Sequence, residues 1–174
     1  MFSDPVKNIS ELGIENGMKV VDLGAGSGFY TIEAGKKVGA GGRVYAVDIQ
    51  EDLINRLKNS ARLAGVYNIE VIVGNIEKLG GTKLRENIAD RVILSNTLFQ
   101  VHSADRDNLA LEVKRILKPG GRLMVVDWTP GSPLSPKECV PKFTAIALFQ
   151  KVGFTEEKTF DAGDHHYGII LKKQ

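Results

Sequence analysis

A chain of 174 residues, 43% hydrophobic and 25% charged, is long enough to bury a core and ordinary in composition, which excludes a disordered or fibrous class. Its 23 basic and 21 acidic residues leave a net charge of +2, too weak a basic excess to argue by itself for a nucleic-acid partner. A lone cysteine, Cys139, rules out an intramolecular disulfide and a thiolate metal centre, and no metal is expected. The opening MFSDPVKNIS lacks a basic-then-apolar leader pattern, and no apolar run nears the roughly 18 residues of a membrane span, so the cytoplasm is the expected compartment.

Strand-length apolar runs alternate with helical periodicity along the chain. MKVVDL (18–23) reads as a first strand, and YTIEAGKKV, after a run of glycines, as a helix. GRVYAVD (42–48) is a second strand. The stretch EDLINRLKNSARLAG sets Leu53, Leu57 and Ala61 on one helical face and is stopped by Gly65. IEVIVG (69–74) and ADRVILS (89–95) are the third and fourth strands. A helix over SADRDNLALEVKRIL follows, with Ser103 as its expected N-cap, Leu109, Val113 and Ile116 on one face, and Pro119-Gly120-Gly121 as its stop. RLMVVDW (122–128) is the fifth strand; a proline-rich loop then leads to a helix over 142–152. EEKTFDA and HYGIILKK close the chain as strands, joined by a tight turn near Gly163-Asp164 that is too short for a parallel crossover. The alternation predicts one α/β domain over 1–174, a mostly parallel sheet with helices on both faces.

The glycine loop carries the chemistry. It follows a strand and opens a helix, where glycines bring backbone N–H groups against a ligand. Its spacing is Asp22-x-Gly24-x-Gly26-x-Gly28. A dinucleotide fingerprint counted from Gly24 needs a small sixth residue, but the sixth is Phe29, expected to obstruct close helix–strand packing. No G-K-[ST] follows, and a carboxylate two residues before the first glycine does not suit a pyrophosphate. It suits an uncharged or cationic nucleoside. Asp48 ends the second strand, where a carboxylate can accept both hydroxyls of a ribose.

With these residues in place the sequence resembles the class I S-adenosylmethionine-dependent methyltransferases, of the type 11 methyltransferase-domain group. The resemblance runs through VVDLGAGSGFYT, GGRVYAVDIQEDLI, VIVGNIEKL, RVILSNTLFQV and RILKPGGRLMVVDW, in that order. It implies a Rossmann-like three-layer sandwich with seven strands in the order 3-2-1-4-5-7-6, strand 7 antiparallel. It implies S-adenosyl-L-methionine as cofactor. Asp22, Gly24, Ala25 and Gly26 would face its methionine part, Asp48 the ribose, and Ile49, Asn75 and Ile76 the adenine. The family often carries Asp where Asn75 stands, and an amide oxygen can accept from the adenine amino group as well. Ser95 and Asn96 would meet the methionine amino group.

The acceptor site belongs to the same rim, at the carboxyl ends of the strands, with Asn96, Phe99 and Trp128 as its candidate contacts. Thr97, Gln100, Asp127 and Thr129 share that rim. His102, His165 and His166 are the candidate general bases, the last two brought there by the final hairpin, but methyl transfer forces none. The stretch before the first strand holds one short helix, so the acceptor pocket is expected to be open. A small-molecule acceptor is the leading reading. RNA or protein acceptors, a cofactor-binding module without turnover, and closure of the pocket by a second subunit in a homodimer stay open beside it. A nicotinamide-dependent dehydrogenase is opposed by Phe29 and Asp22.

Overall fold

The computed structural model describes residues 3–174; the first two residues of the opening stretch lie outside it. Seven strands form one sheet: β1 (Lys19–Leu23), β2 (Arg43–Asp48), β3 (Ile69–Val73), β4 (Ala89–Ser95), β5 (Leu117–Trp128), β6 (Phe154–Gly163) and β7 (His166–Lys173). Their order is β3-β2-β1-β4-β5-β7-β6. Parallel pairing runs from β3 to β5, and β7 alone runs against its neighbours β5 and β6. Among the described residues five α-helices flank the sheet: α1 (Pro5–Glu11), α2 (Phe29–Val38), α3 (Glu51–Leu63), α4 (Arg106–Ile116) and α5 (Lys142–Gln150).

Side chains of the inner strands alternate between two cores, as the pleat requires. Val20, Val44, Ile93 and Met124 pack with Ile9 of α1, with Leu12 just beyond it, and with Ala34 and Val38 of α2. Val21, Leu23, Val92 and Leu123 pack with Leu109, Val113 and Phe149 of α4 and α5. Asp22 has the parity of Val20, so its carboxyl faces α2, and Thr31 of that helix meets it.

Four local readings need correction. The buried face of α3 is Ile54, Leu57 and Ala61, whereas Leu53 is half-buried. Ser103 does not cap α4: it opens a 3₁₀ turn (Ser103–Asp105), and the His102 ring accepts the Ala104 N–H at 3.3 Å. Helix α4 ends at Ile116, before the proline, and β5 starts at Leu117 with a register shift between Ala89 and Arg91 where Pro119 and Gly120 (φ +74°) pass. Proline disfavours helical backbone at the residue before it, which favours an early stop. Helix α5 likewise stops at Gln150 rather than 152, with Gly153 at φ +94° just beyond it.

Candidate active site

Strand β1 lies between β2 and β4, whose chains leave in opposite directions, and the cleft opens at the carboxyl ends of these three strands. The amides of Gly24 and Ala25 both donate to the Val47 carbonyl, at 2.8 and 3.1 Å, which folds the glycine loop over the end of β2.

The three glycines answer to different demands. A Cβ on Gly24 would lie 2.5 Å from Thr97 Oγ1, and one on Gly28 2.5 Å from Leu57 Cγ, so both are fixed by packing. At Gly26 (φ +52°) the nearest atom to such a Cβ is 3.9 Å away, and the space it would fill belongs to the cleft. Phe29 does not obstruct the helix–strand contact, because it opens α2 and is 70% exposed. The close approach falls one residue earlier, at Gly28.

Asp48 is buried, and both its oxygens are oriented by backbone: Oδ2 accepts Gly26 N–H and Oδ1 accepts Gln50 N–H, each at 2.9 Å. Each oxygen retains a lone pair. Asp22 is more deeply buried and accepts the Thr31 hydroxyl at 2.5 Å. Burial pushes its pKa up to about 7 against the pull of Thr31, and the neighbouring Asp48 adds to the rise. Among the described residues no cation acts on it.

Two adjoining cavities share Gly24, Gly26 and Gln100. The first, about 240 Å³, is lined by Asp48, Ile49, Leu53, Asn75, Ile76, Thr97 and Val101, among others. Ile49 is 63% exposed over it, and Ile76 is buried against its wall. Asn75 Oδ1 accepts Glu77 N–H at 2.8 Å, so that side chain shapes its own turn. The second cavity, about 540 Å³, is lined by Asp22, Ala25, Ser95 and Asn96 and by Ser3, Pro5, Phe29 and Tyr30. Asn96 holds a left-handed backbone (φ +52°), and its buried Oδ1 has no hydrogen-bond partner among the described residues. Beside the apolar side chains of this cavity, Tyr30 and Ser3 hydroxyls lie 2.6 Å apart, and Asn8 of α1 donates to the Tyr30 oxygen at 2.8 Å.

The expected cofactor contacts Asp22, Gly24, Ala25, Gly26, Asp48, Ile49, Asn75, Ile76 and Ser95, with Asn96, therefore all line one cavity or the other. Phe99, Trp128, His102, His165 and His166 line neither. The His102 ring serves the 3₁₀ turn, and His166 is buried with its ring centroid 4.2 Å from that of Trp128. The hairpin tip does return to the end of β5, where the His165 carbonyl accepts Thr129 N–H at 2.8 Å. Sequence reasoning missed Leu53, taken for a core residue, and the wall formed by Ser3, Pro5 and Tyr30. Tyr30 carried a usable signal as the residue beside the glycine loop on the helix that follows it.

Comparison with known proteins gives this geometry a family. The "Methyltransferase domain" family model matches residues 14–160. The ubiquinone/menaquinone biosynthesis C-methyltransferase UbiE of Pasteurella multocida is 32% identical over 142 residues, covering 81% of this chain and 51% of the relative. Its namesake from Escherichia coli is 33% identical over 118 residues, 67% of this chain and 45% of the relative. The chain thus spans about half the length of the curated relatives it matches. The crystal structure of a SAM-dependent methyltransferase from Aquifex aeolicus superposes with a TM-score of 0.86 at 27% identity, covering 98% of this chain and 90% of that one. The chain belongs to the methyltransferase-domain family. Its class is that of the class I, S-adenosylmethionine-dependent methyltransferases. No helix among the described residues is long and apolar enough to cross a membrane.

Proposed function

We propose that the chain transfers a methyl group from S-adenosylmethionine to a ring carbon of a small, largely apolar acceptor that carries a hydroxyl, of which a hydroquinol is the type. The residues present fit the cofactor. The space a Cβ would fill at Gly26 opens into the cleft, and Asp22 is a buried acid on which no cation among the described residues acts. Asn96 Oδ1 is an unmet acceptor beside it, suited to an ammonium group. Bound there, S-adenosylmethionine supplies a methyl group on a cationic sulfur, a good leaving group once an electron-rich atom is aligned behind the carbon.

Each residue's part follows from its chemistry. Asp48, held by the Gly26 and Gln50 amides, accepts the ribose hydroxyls through its remaining lone pairs. Ile49 and Ile76 cover the adenine, and the burial of the Ile49 side chain contributes about 1.5–3 kcal/mol. Asp22 and Asn96 take the cationic end. Ser95 borders the same end of the cleft.

The observation that carries the acceptor reading is the second cavity. It adjoins the first at Gly24, Gly26 and Gln100, and Pro5, Phe29 and the Tyr30 ring give it an apolar wall with one polar spot at the Ser3 and Tyr30 hydroxyls. An aromatic ring with an oxygen substituent matches that wall. The curated relatives, by their names, methylate carbon in quinone biosynthesis, which supports the same acceptor class. No histidine borders the cavity. A hydroquinol whose hydroxyl has released its proton to solvent is nucleophilic at ring carbon; a C–C bond would form as the methyl–sulfur bond breaks, and the ring proton then leaves to solvent as the ring regains its aromaticity. The work of the site is alignment and exclusion of water. Phe99 and Trp128 lie outside both cavities, and this reading gives them no contact with the acceptor.

The test is incubation with methyl-labelled S-adenosylmethionine and a panel of short-chain benzo- and naphthohydroquinols, catechols, an RNA pool and a protein extract, read by mass spectrometry. Carbon-bound label on the hydroquinols, lowered at least about tenfold by Tyr30→Phe through KM, supports the proposal. Label only on RNA or protein contradicts it.

A further inference from the structure

Residues 74–77 line the first cavity, yet no helix or strand spans the stretch from Gly74 to Ile88. The strand next to it, β3, is the edge of the sheet. Something else must hold this wall, and the hydrogen bonds identify it. The amide of Asn75 donates to the Gly81 carbonyl at 3.0 Å, and a Cβ on Gly81 would lie 2.0 Å from Asn75 O. Residues 80–82 are thus stacked directly behind the wall.

Behind them sits a carboxylate. Glu112 of α4 is fully buried, and it lines neither cavity. Its Oε2 accepts Gly80 N–H at 2.7 Å and Arg115 Nε at 2.8 Å. Its Oε1 accepts the Thr82 hydroxyl at 2.5 Å, Thr82 N–H at 3.3 Å and Arg115 Nη2 at 2.7 Å. Burial works to raise the carboxyl, but Arg115, Thr82 and Gly80 outweigh it and hold its pKa below the usual range. A buried carboxylate with this many donors is a fixed point.

We propose that Glu112 is a positioning residue for the cofactor: from the far side of the 80–82 segment it sets where Asn75 and Ile76 stand, and so sets the affinity for the adenine. The inference rests on the reading that adenine lies against Ile76. Arg115 keeps the carboxylate charged and oriented, and Thr82, itself buried, passes the constraint to the loop.

The test is calorimetry with S-adenosylhomocysteine as the probe, on the whole chain, for wild type, Glu112→Gln, Thr82→Val, Ile76→Ala and the double variant Glu112→Gln/Ile76→Ala, with thermal unfolding alongside. Glu112→Gln leaves a donor unmet and should raise Kd about tenfold, and Thr82→Val about threefold. In the Ile76→Ala background the Glu112→Gln effect should shrink below about twofold, because both act through one wall. In turnover, KM for S-adenosylmethionine should rise with Kd while kcat at saturation stays within about twofold. Unchanged Kd in a folded Glu112→Gln, or its full effect persisting in Ile76→Ala, overturns the proposal. If Glu112→Gln fails to fold, Thr82→Val decides, since it keeps the Glu112–Arg115 pair: a weakened Kd supports the proposal and an unchanged one overturns it. Should Ile76→Ala alone bind normally, the adenine reading itself falls and takes the proposal with it.

Discussion

Gly24 and Gly26 show how one motif serves two purposes. Gly24 is excluded from substitution by Thr97, whereas Gly26 faces the open space of the cleft. Gly24→Ala should therefore cost stability, about 3 kcal/mol from overlap plus left-handed backbone. Gly26→Ala should cost only about 1–2 kcal/mol in thermal unfolding yet weaken S-adenosylhomocysteine binding at least tenfold by calorimetry. Asp22 makes a second prediction at this scale. Its pKa is raised to about 7, so between the ordinary carboxylate range and pH 7 the native protein holds a proton that the unfolded chain releases. Stability of the ligand-free protein should then fall as pH rises across that window, and Asp22→Asn should remove the slope. A cationic ligand favours the carboxylate, so S-adenosylmethionine affinity should rise with pH up to about 7 and level off above it, as titration at several pH values would show. Both acids were legible in the sequence because each ends an apolar run beside a glycine turn. Phe29 was misread because the dinucleotide template places its tight contact at the sixth residue, while here the tight contact is between Gly28 and Leu57.

At the scale of elements, the segment after β4 matters most, because Thr97, Gln100 and Val101 line the cleft from it. Buried Asp127 anchors its start, accepting Phe99 N–H at 3.0 Å and Trp128 N–H at 2.8 Å, and burial lifts its pKa to about 6. His102 anchors its end as a cap. His102→Ala should therefore lower stability by about 0.5–1 kcal/mol and leave kcat within about twofold; a hundredfold loss of kcat would make it a base instead. Strand positions were readable from period-two apolar runs, and helices from their spacing. The ends were less so: the cap of the 3₁₀ turn is a histidine ring, which capping rules for hydroxyl and carboxyl residues do not include. Leu53 and Ile54 are both apolar neighbours on α3, and spacing alone does not say which turns to the core and which to the cleft. Nor did the sequence show that Glu112, on a helix outside the cleft, braces the cavity wall.

For the whole molecule, the sheet order and the antiparallel β7 follow from the strand–helix alternation and the short final link once the methyltransferase resemblance supplies the topology. That order puts the ends of β1, β2 and β4 side by side, so residues far apart in the chain, Asp22, Asp48 and Asn96, meet at one cleft. What the fold leaves to local detail is the acceptor, because the same sheet carries many reactions and the wall proposed to meet it comes from Ser3, the start of α1 and the first turn of α2. The central claim is that this cleft holds the sulfur nucleoside through Asp48. Calorimetric titration of wild type and Asp48→Ala with S-adenosylmethionine, S-adenosylhomocysteine and NAD tests it most directly. Both sulfur nucleosides should bind with Kd values of about micromolar order, weakened at least about tenfold in Asp48→Ala, and NAD should not bind. Binding of NAD, or binding of the sulfur nucleosides that is indifferent to Asp48→Ala, would contradict it.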